Sequence, residues 1–515
     1  MIAETEFGRV RGIEHRGIKV FRGIPYAAST EGANRFMPPV DPGPWAGVRD
    51  AVEYGFSCPQ TDPCPVAVAD EEGPSIYKAL AIPGEVPPPE GEDCLVLNVW
   101  TPGLEDGVKR PVLVWLHGGG FNGGSGSSRA VDGTNLAIRG DVVVVTINHR
   151  LNVFGFANLS EFGEDFAASG INGMLDIVHA LKWIRTNITR FGGDPGNVTI
   201  IGQSGGGRKV ETLLAMPAAK GLFHRAVAQS GVAVRLVERE TAVRNAERLL
   251  ARLEIPTADV HRIQEVPAER LTTAFWEVIR ELGMVDMHTV GFVPTVDAPY
   301  LPQHPFHPTA SPVSADVPLL IGHTSTEVTG LVTEAALWRL DEDGLQARIG
   351  GMLGDRSREM IELYRRHHPA ATPSDLYFEI ASDYRYGAKT MKIAERRAAL
   401  GRGSVYLYYF KWETPVQGGL LRSPHNMEIP FAFDNVEFSA NLTGGGPEAR
   451  DLADRISDTW LAFARTGNPN NPKIPHWPAF NAENRPTMVI NDVCEVVNDP
   501  LREQRRAMFR ALDFE

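Results

Sequence analysis

The sequence predicts an α/β fold, a large and mostly parallel central sheet flanked by helices. Three observations carry this: five short runs are rich in β-branched residues and apolar on both faces, helix-period segments alternate with them, and no repeat or clear linker interrupts the 515 residues. Length alone would allow about three domains. Without a linker, the simplest organisation is a single domain over residues 1–515, enlarged by cap-like insertions.

The expected strands are Val112–Leu116 (VLVWL), Val142–Ile147 (VVVVTI), Val198–Ile201 (VTII), Val317–Ile321 (VPLLI) and Val405–Phe410 (VYLYYF). Between the second and third, MLDIVHALKWIRTNITRF sets Met174, Ile177, Val178, Leu181, Ile184 and Ile188 on one helical face, which makes a strand-helix-strand unit. Further helices are expected over Glu240–Leu253, over Leu376–Leu400 with Gly401 as the stop, and over Ala449–Thr466 ahead of GNPNNP. Val68–Glu92 is rich in Pro and Glu without sustained periodicity and reads as a surface loop.

The charge balance of 51 Lys+Arg against 64 Asp+Glu, net −13, comes with no long basic run and argues against a nucleic-acid partner. No stretch nears the roughly 18 apolar residues of a membrane span, and the opening MIAETEFGRVRG lacks the charged and apolar regions of an export signal. A cytoplasmic chain, monomeric or homodimeric, is therefore expected. Cys58, Cys64, Cys94 and Cys494 are too few for a disulfide scaffold and show no C-x-x-C spacing, so no metal site is expected.

The stretch IIGQSGGGRKV, Ile200–Val210, has two readings. From Gly202 to Gly207 it starts a phosphate loop, but that motif requires Lys and then Ser/Thr directly after the last glycine, where Arg208 and Lys209 stand. From Gly202 to Gly206 it is G-x-S-x-G, a serine on a sharp turn between strand and helix, with small neighbours because the turn tolerates no bulk. Gly205 N–H at the helix start would face a developing oxyanion. A second motif, LHGGGFNGGS after the strand VLVW, offers further backbone N–H groups from Gly119 and Gly120. The two motifs, each following a buried strand, favour a serine nucleophile at Ser204 over a phosphate loop.

With these residues in view, the chain resembles the type B carboxylesterase family from end to end. The resemblance includes FRGIPYA (Phe21–Ala27), RFMPPVDPGPW (Arg35–Trp45), EDCLVLNVW (Glu92–Trp100), NITRFGGDPGNVTIIGQSGGG, GLFHRAVAQSG (Gly221–Gly231) and WLAFARTGNPN (Trp460–Asn470). It implies an α/β-hydrolase fold whose insertions form an active-site gorge, hydrolysis of small-molecule carboxylic esters through an acyl-enzyme, and no organic or metal cofactor. A serine needs a base and an orienting acid, and in this fold class the order is Ser, acid, His. His425, in RSPHNMEIPFAF after VYLYYF, resembles the family's H-x-x-E-x-P-F base. Glu327, in LLIGHTSTEVTG just past VPLLI, matches the family's acid. Asp297 precedes that strand and reads as structural, and the resemblance alone puts Ser230 near the acid.

The chain also departs from the family. Gly-Gln-Ser-Gly-Gly stands where Gly-Glu-Ser-Ala-Gly is usual, and Gln203 removes a negative charge beside the nucleophile, so neutral or anionic aryl and alkyl esters are expected over cationic ones. Val328 replaces the glycine that usually follows the acid. Arg208 and Lys209 bring cations into the first helical turn, and a buried ion pair or a solvated face is the expected fate of both, with attraction of a substrate carboxylate as the alternative. Cys58 and Cys94 match a disulfide of extracellular relatives, and reduced thiols or an adventitious bond are expected here. A carbamate hydrolase, a hydrolase of specialised natural esters and a non-catalytic binding module are the alternatives.

Overall fold

The structure, a computed structural model, describes residues 1–62, 76–283, 291–332 and 334–514. Cys64 and the first part of the expected loop, 68–75, lie outside the described residues. The chain divides into two compact units: Met1–Pro65 with Val86–Val227 and Ala233–Val317, and Val66–Glu85 with Ala228–Val232 and Pro318–Glu515.

The first unit contains strands β1 (Ile13–His15), β2 (Ile18–Pro25), β3 (Val96–Thr101), β4 (Arg110–Leu116), β5 (Val143–Ile147) and β6 (Gly193–Gln203), hydrogen-bonded in the order β6-β4-β5-β3-β2-β1. β4 runs parallel to both β5 and β6. β1–β2, β2–β3 and β3–β5 are antiparallel, which the expectation of a mostly parallel sheet did not resolve. The parallel strands β4, β5 and β6 carry buried apolar runs and read from composition, whereas β1 is short and exposed and polar or glycine residues interrupt β2 and β3. Parallel pairing sets Leu116 opposite Gly202. The loop after β4 and the turn after β6 therefore leave the sheet side by side.

Helix α1 (Asn172–Asn187) joins β5 to β6, and Met174, Ile177, Val178, Leu181 and Ile184 are all buried along it. Helix α2 (Gly205–Leu213) starts directly after the serine, and every one of its residues is buried. Helix α3 (Arg239–Arg252) matches its expected span closely.

The second unit holds strands β7 (Leu319–Thr324), β8 (Val405–Phe410), β9 (Pro486–Ile490) and β10 (Glu495–Asn498) in that order, parallel except for the last pair. The helix expected over Leu376–Leu400 is α4 (Pro373–Ser382), a five-residue π-helical turn Asp383–Gly387, and α5 (Ala388–Ala398). It starts early because Thr372 and Asp375 cap each other's backbone N–H groups, with Pro373 in the first turn. Helix α6 (Pro447–Thr466) stops where Gly467 takes φ +78°. Within the expected loop, Ile76–Leu80 forms a short helix. Among the described residues no helix is long and apolar enough to cross a membrane.

One ion pair in the first unit is fully desolvated. Arg150, after β5, donates to both carboxylate oxygens of Asp176 in α1 at 2.8 and 2.6 Å, and to Met37 O at 2.6 Å. The two side chains are 1% and 0% exposed. Removing one partner of such a pair leaves the other buried and uncompensated. Asp176→Ala should therefore lower unfolding free energy by about 3–5 kcal/mol in urea titration.

Candidate active site

From Val198 to Met216 every residue is buried except Ser204, which is half exposed. Strand β6 ends at Gln203 and α2 begins at Gly205, so the chain reverses over one residue. Ser204 takes φ +59°, ψ −122°, a conformation that costs a side-chain-bearing residue on the order of 1–3 kcal/mol. The neighbouring glycines allow it. A Cβ on Gly206 would run into Leu116 O, and one on Gly205 would overlap the backbone of Gly120. The departure from the usual alanine at Gly205 thus coincides with a close approach of the loop after β4.

In that loop Gly119 and Gly120 have φ +82° and +64°, and Gly119 O accepts the N–H groups of Asn122 and Gly123 at 3.2 and 3.1 Å. Gly119 is exposed and Gly118 half-buried. Gly205 N–H is the first of α2 and has no acceptor within the helix. The first unit thus brings Ser204, Gly119, Gly120 and Gly205 together at the C-terminal ends of β4 and β6.

The second unit brings Glu327 and His425 together. Glu327, just past β7, is 0% exposed, and His425, in the loop after β8, is 2% exposed. His425 Nδ1–H donates to Glu327 Oε2. Glu327 Oε1 accepts from Thr324 N at 2.8 Å and from Ser230 Oγ at 2.6 Å. Both oxygens accept hydrogen bonds, and the one on Oε2 fixes the orientation of the His425 ring. Tyr386 packs 4.9 Å from the imidazole, and a side chain on Gly330 would press on the His425 backbone. Val328 has its side chain in the hydrophobic cluster of the second unit, with Leu337, Leu345 and Phe378.

Sequence reasoning assigned no role to Glu428. This carboxyl, also 0% exposed, lies 3.3 Å from Ser230 Oγ and accepts from Tyr408 O–H at 3.2 Å. Burial, and then the neighbouring Glu327, push its pKa well above the ordinary carboxylate value. A hydroxyl has one proton, and the shorter distance gives that of Ser230 to Glu327. Ser230 Oγ can then accept from a protonated Glu428. The signal was present in the sequence as the fixed glutamate of H-x-x-E, but its meaning depends on Ser230 and Tyr408, which come from distant segments.

The remaining calls resolve individually. Asp297 accepts two hydrogen bonds from Arg239 Nη1, both 2.9 Å, the structural role expected of it. Arg208 and Lys209 are 8% and 0% exposed, which rules out the solvated face. Cys58 and Cys94 are free and buried, and a hydrogen bond with Cys58, followed by burial, raises the Cys94 thiol. Among the described residues no three His, Cys, Asp or Glu side chains are grouped to hold a metal ion.

The model of the carboxylesterase family matches residues 1–509. The chain belongs to the carboxylesterase family. Among similar proteins, the para-nitrobenzyl esterase of Bacillus subtilis is 35% identical over 514 residues, covering 99% of this chain and 98% of its own. The phenmedipham hydrolase of Pseudarthrobacter oxydans is 34% identical, with 97% of each chain covered. A crystal structure of a carboxylesterase from Geobacillus stearothermophilus superposes with a TM-score of 0.83 at 38% identity, covering 98% of this chain and 99% of that one. This carboxylesterase has the α/β-hydrolase fold and is a carboxylic ester hydrolase acting on small-molecule esters.

The raised pKa of Glu428 has a consequence for stability. A carboxyl held protonated in the folded state binds a proton that the unfolded chain releases above its ordinary value of 4.5, so stability falls as pH rises past that point. Glu428→Gln keeps the neutral shape and removes the titration. Its stability relative to the parent should therefore rise with pH above 4.5, read as a growing difference in denaturation midpoint across a pH series.

Proposed function

We propose that the enzyme hydrolyses neutral or anionic aryl and alkyl esters with Ser204 as nucleophile, His425 as general base and Glu327 as orienting acid. The observation that carries this reading is the elbow at Ser204, a half-buried serine at φ +59° between a buried strand end and a buried helix. His425 takes the Ser204 proton as Oγ attacks the ester carbonyl carbon. The backbone N–H groups of Gly119, Gly120 and Gly205 stabilise the tetrahedral oxyanion. His425 returns the proton to the leaving alcohol, and the C–O bond breaks to leave an acyl-Ser204 ester. Water, deprotonated by the same imidazole, then attacks the acyl carbon and frees the acid and Ser204. Glu327 holds the Nδ1–H tautomer throughout and stabilises the imidazolium.

Two features support the substrate class. Gln203, 1% exposed beside the nucleophile, carries no charge to attract a cation. One relative is named for para-nitrobenzyl esters and another for phenmedipham, which keeps aryl and benzyl esters first and a carbamate second. Choline esters should turn over no faster than their neutral isosteres. The reading extends to one catalytic domain over residues 1–515 in a cytoplasmic monomer or homodimer, where the Cys58 and Cys94 thiols stay reduced.

Ser204→Ala should lower kcat for para-nitrophenyl acetate by about 10⁴–10⁶ and abolish covalent labelling by an organophosphate, with the melting transition preserved. Folded parent protein that neither labels nor turns over esters would instead favour the binding-module alternative.

A further inference from the structure

Lys209 sits four residues into the helix that Gly205 starts, and its side chain is 0% exposed. Among the described residues no carboxylate pairs with it, so the buried ion pair expected of it is absent. Burial, and then Arg208, drive its pKa well below the ordinary lysine value. A buried amine without a counter-ion is costly, and an apolar side chain of the same length would be easier to fold around. Its contacts show what it does in return.

Lys209 Nζ donates to His117 O at 2.9 Å and lies 5.6 Å from the centre of the Phe121 ring. His117 and Phe121 are the two residues that bracket Gly118, Gly119 and Gly120. A run of three glycines has the greatest backbone freedom and no side chain with which to anchor itself. Anchors must therefore act on its flanks. At the first flank the His117 ring is itself immobilised: it stacks on His149 at 4.7 Å with 10° between planes, and Nδ1–H donates to Gly118 O at 2.9 Å. Burial and the nearby Lys209 hold both imidazoles neutral. At the second flank Arg208 also stands over the Phe121 ring, 5.4 Å from its centre.

We propose that Lys209 is a positioning residue, a strap that ties both ends of the Gly118–Gly120 loop to the nucleophile helix and so aims the loop's N–H groups. This rests on the reading of that loop as the oxyanion hole. The geometry supports it because the strap and the third proposed donor, Gly205 N–H, belong to one helix: fixing Lys209 fixes the loop relative to Gly205 and Ser204. Oxyanion stabilisation depends on donors already in place when charge develops, and a displacement of about 1 Å can cost up to about 100-fold in rate.

The test uses the full chain with Lys209→Met, Lys209→Gln, which keeps a neutral N–H donor on a shorter stem, and Gly119→Ala, which disturbs the loop directly. Substrate is para-nitrophenyl acetate, and the transition-state probe is an aryl trifluoromethyl ketone, which Ser204 attacks to place an alkoxide where the oxyanion forms. Lys209→Met is expected to melt at or above the parent temperature. Its kcat should fall about 10- to 100-fold with KM within about twofold, and its ketone affinity should fall in step with kcat/KM. Lys209→Gln should recover part of both. Activity and ketone affinity within twofold of the parent in Lys209→Met, with both lost in Gly119→Ala, would overturn the strap and leave the oxyanion reading standing. Unchanged kcat in Gly119→Ala would remove the oxyanion reading itself, and the strap with it. Loss of melting temperature together with activity in both lysine variants would reduce Lys209 to a structural residue.

Discussion

Three stretches of backbone meet at Ser204 with only hydrogen atoms between them. The end of β6, the first turn of α2 and the loop after β4 approach so closely that a single methyl group at Gly205 or Gly206 would strike Gly120 or Leu116. This crowding forces Ser204 into its φ of +59° and lifts its hydroxyl out of an otherwise buried run. It also depends on sheet register. Leu116 and Gly202 are paired on parallel strands, so the two glycine motifs emerge at the same level although they lie far apart in the chain. A one-residue slip would send every side chain of either strand to the other face and separate the motifs. The interior strand packing is therefore what makes a strained serine affordable.

In the second unit the governing constraint is electrostatic. Two carboxyl groups, Glu327 and Glu428, share one serine hydroxyl in a site with essentially no solvent. Two adjacent charges cannot both be desolvated cheaply, so the environments must differ. Glu327 receives the imidazole N–H, a backbone N–H and the serine, three donors that suit a carboxylate. Glu428 has the weaker contacts to Tyr408 and Ser230 and is the one pushed toward the neutral acid. A neutral Glu428 adds no second charge beside Glu327, which leaves the Glu327 charge directed at the imidazole, where it would counter the cation formed in the proposed mechanism.

The parts of this architecture that were legible in the sequence are those whose physics is local. Backbone turns that exclude side chains appear as glycine strings, and strands buried on both faces appear as β-branched runs, so β4, β5, β6, β7 and β8 and both motifs could be read directly. Antiparallel β1–β3 escaped because β1 is short and polar or glycine residues interrupt the other two, Asn98 in the case of β3. Ile13–His15 is exposed throughout, and Arg22 and Gly23 break the apolar run of β2. The long helix of the second unit was found but not its π-helical turn, since Asp383–Gly387 carries no signature that separates it from an ordinary turn of helix. Glu428 was missed and the fate of Lys209 left undecided for one shared reason. A charged residue in a helical pattern is ordinarily solvated, and only long-range packing reveals that these two are enclosed.

Enclosure changes what the departures from the family pattern mean at the elbow. Gln203 removes one negative charge next to Ser204, and Arg208, whose N–H closes the first helical turn on Ser204 O at 2.9 Å, adds a positive one. In water such changes would be screened within about 10 Å and contribute little. Here Gln203, Arg208 and Lys209 are 1%, 8% and 0% exposed, so the local dielectric is low and the field at Ser204 reaches further. Cations in the first turn oppose the helix dipole, which already presents partial positive charge at its N-terminus. That opposition acts on folding. At the serine the same two sources would add, because the tetrahedral oxyanion of the proposed mechanism meets the helix end and the Arg208 cation with the same sign. On the proposed mechanism the elbow gives up folding stability at the positions where positive potential would favour the charge that ester attack at Ser204 creates, and the same potential would disfavour a substrate that arrives already positive.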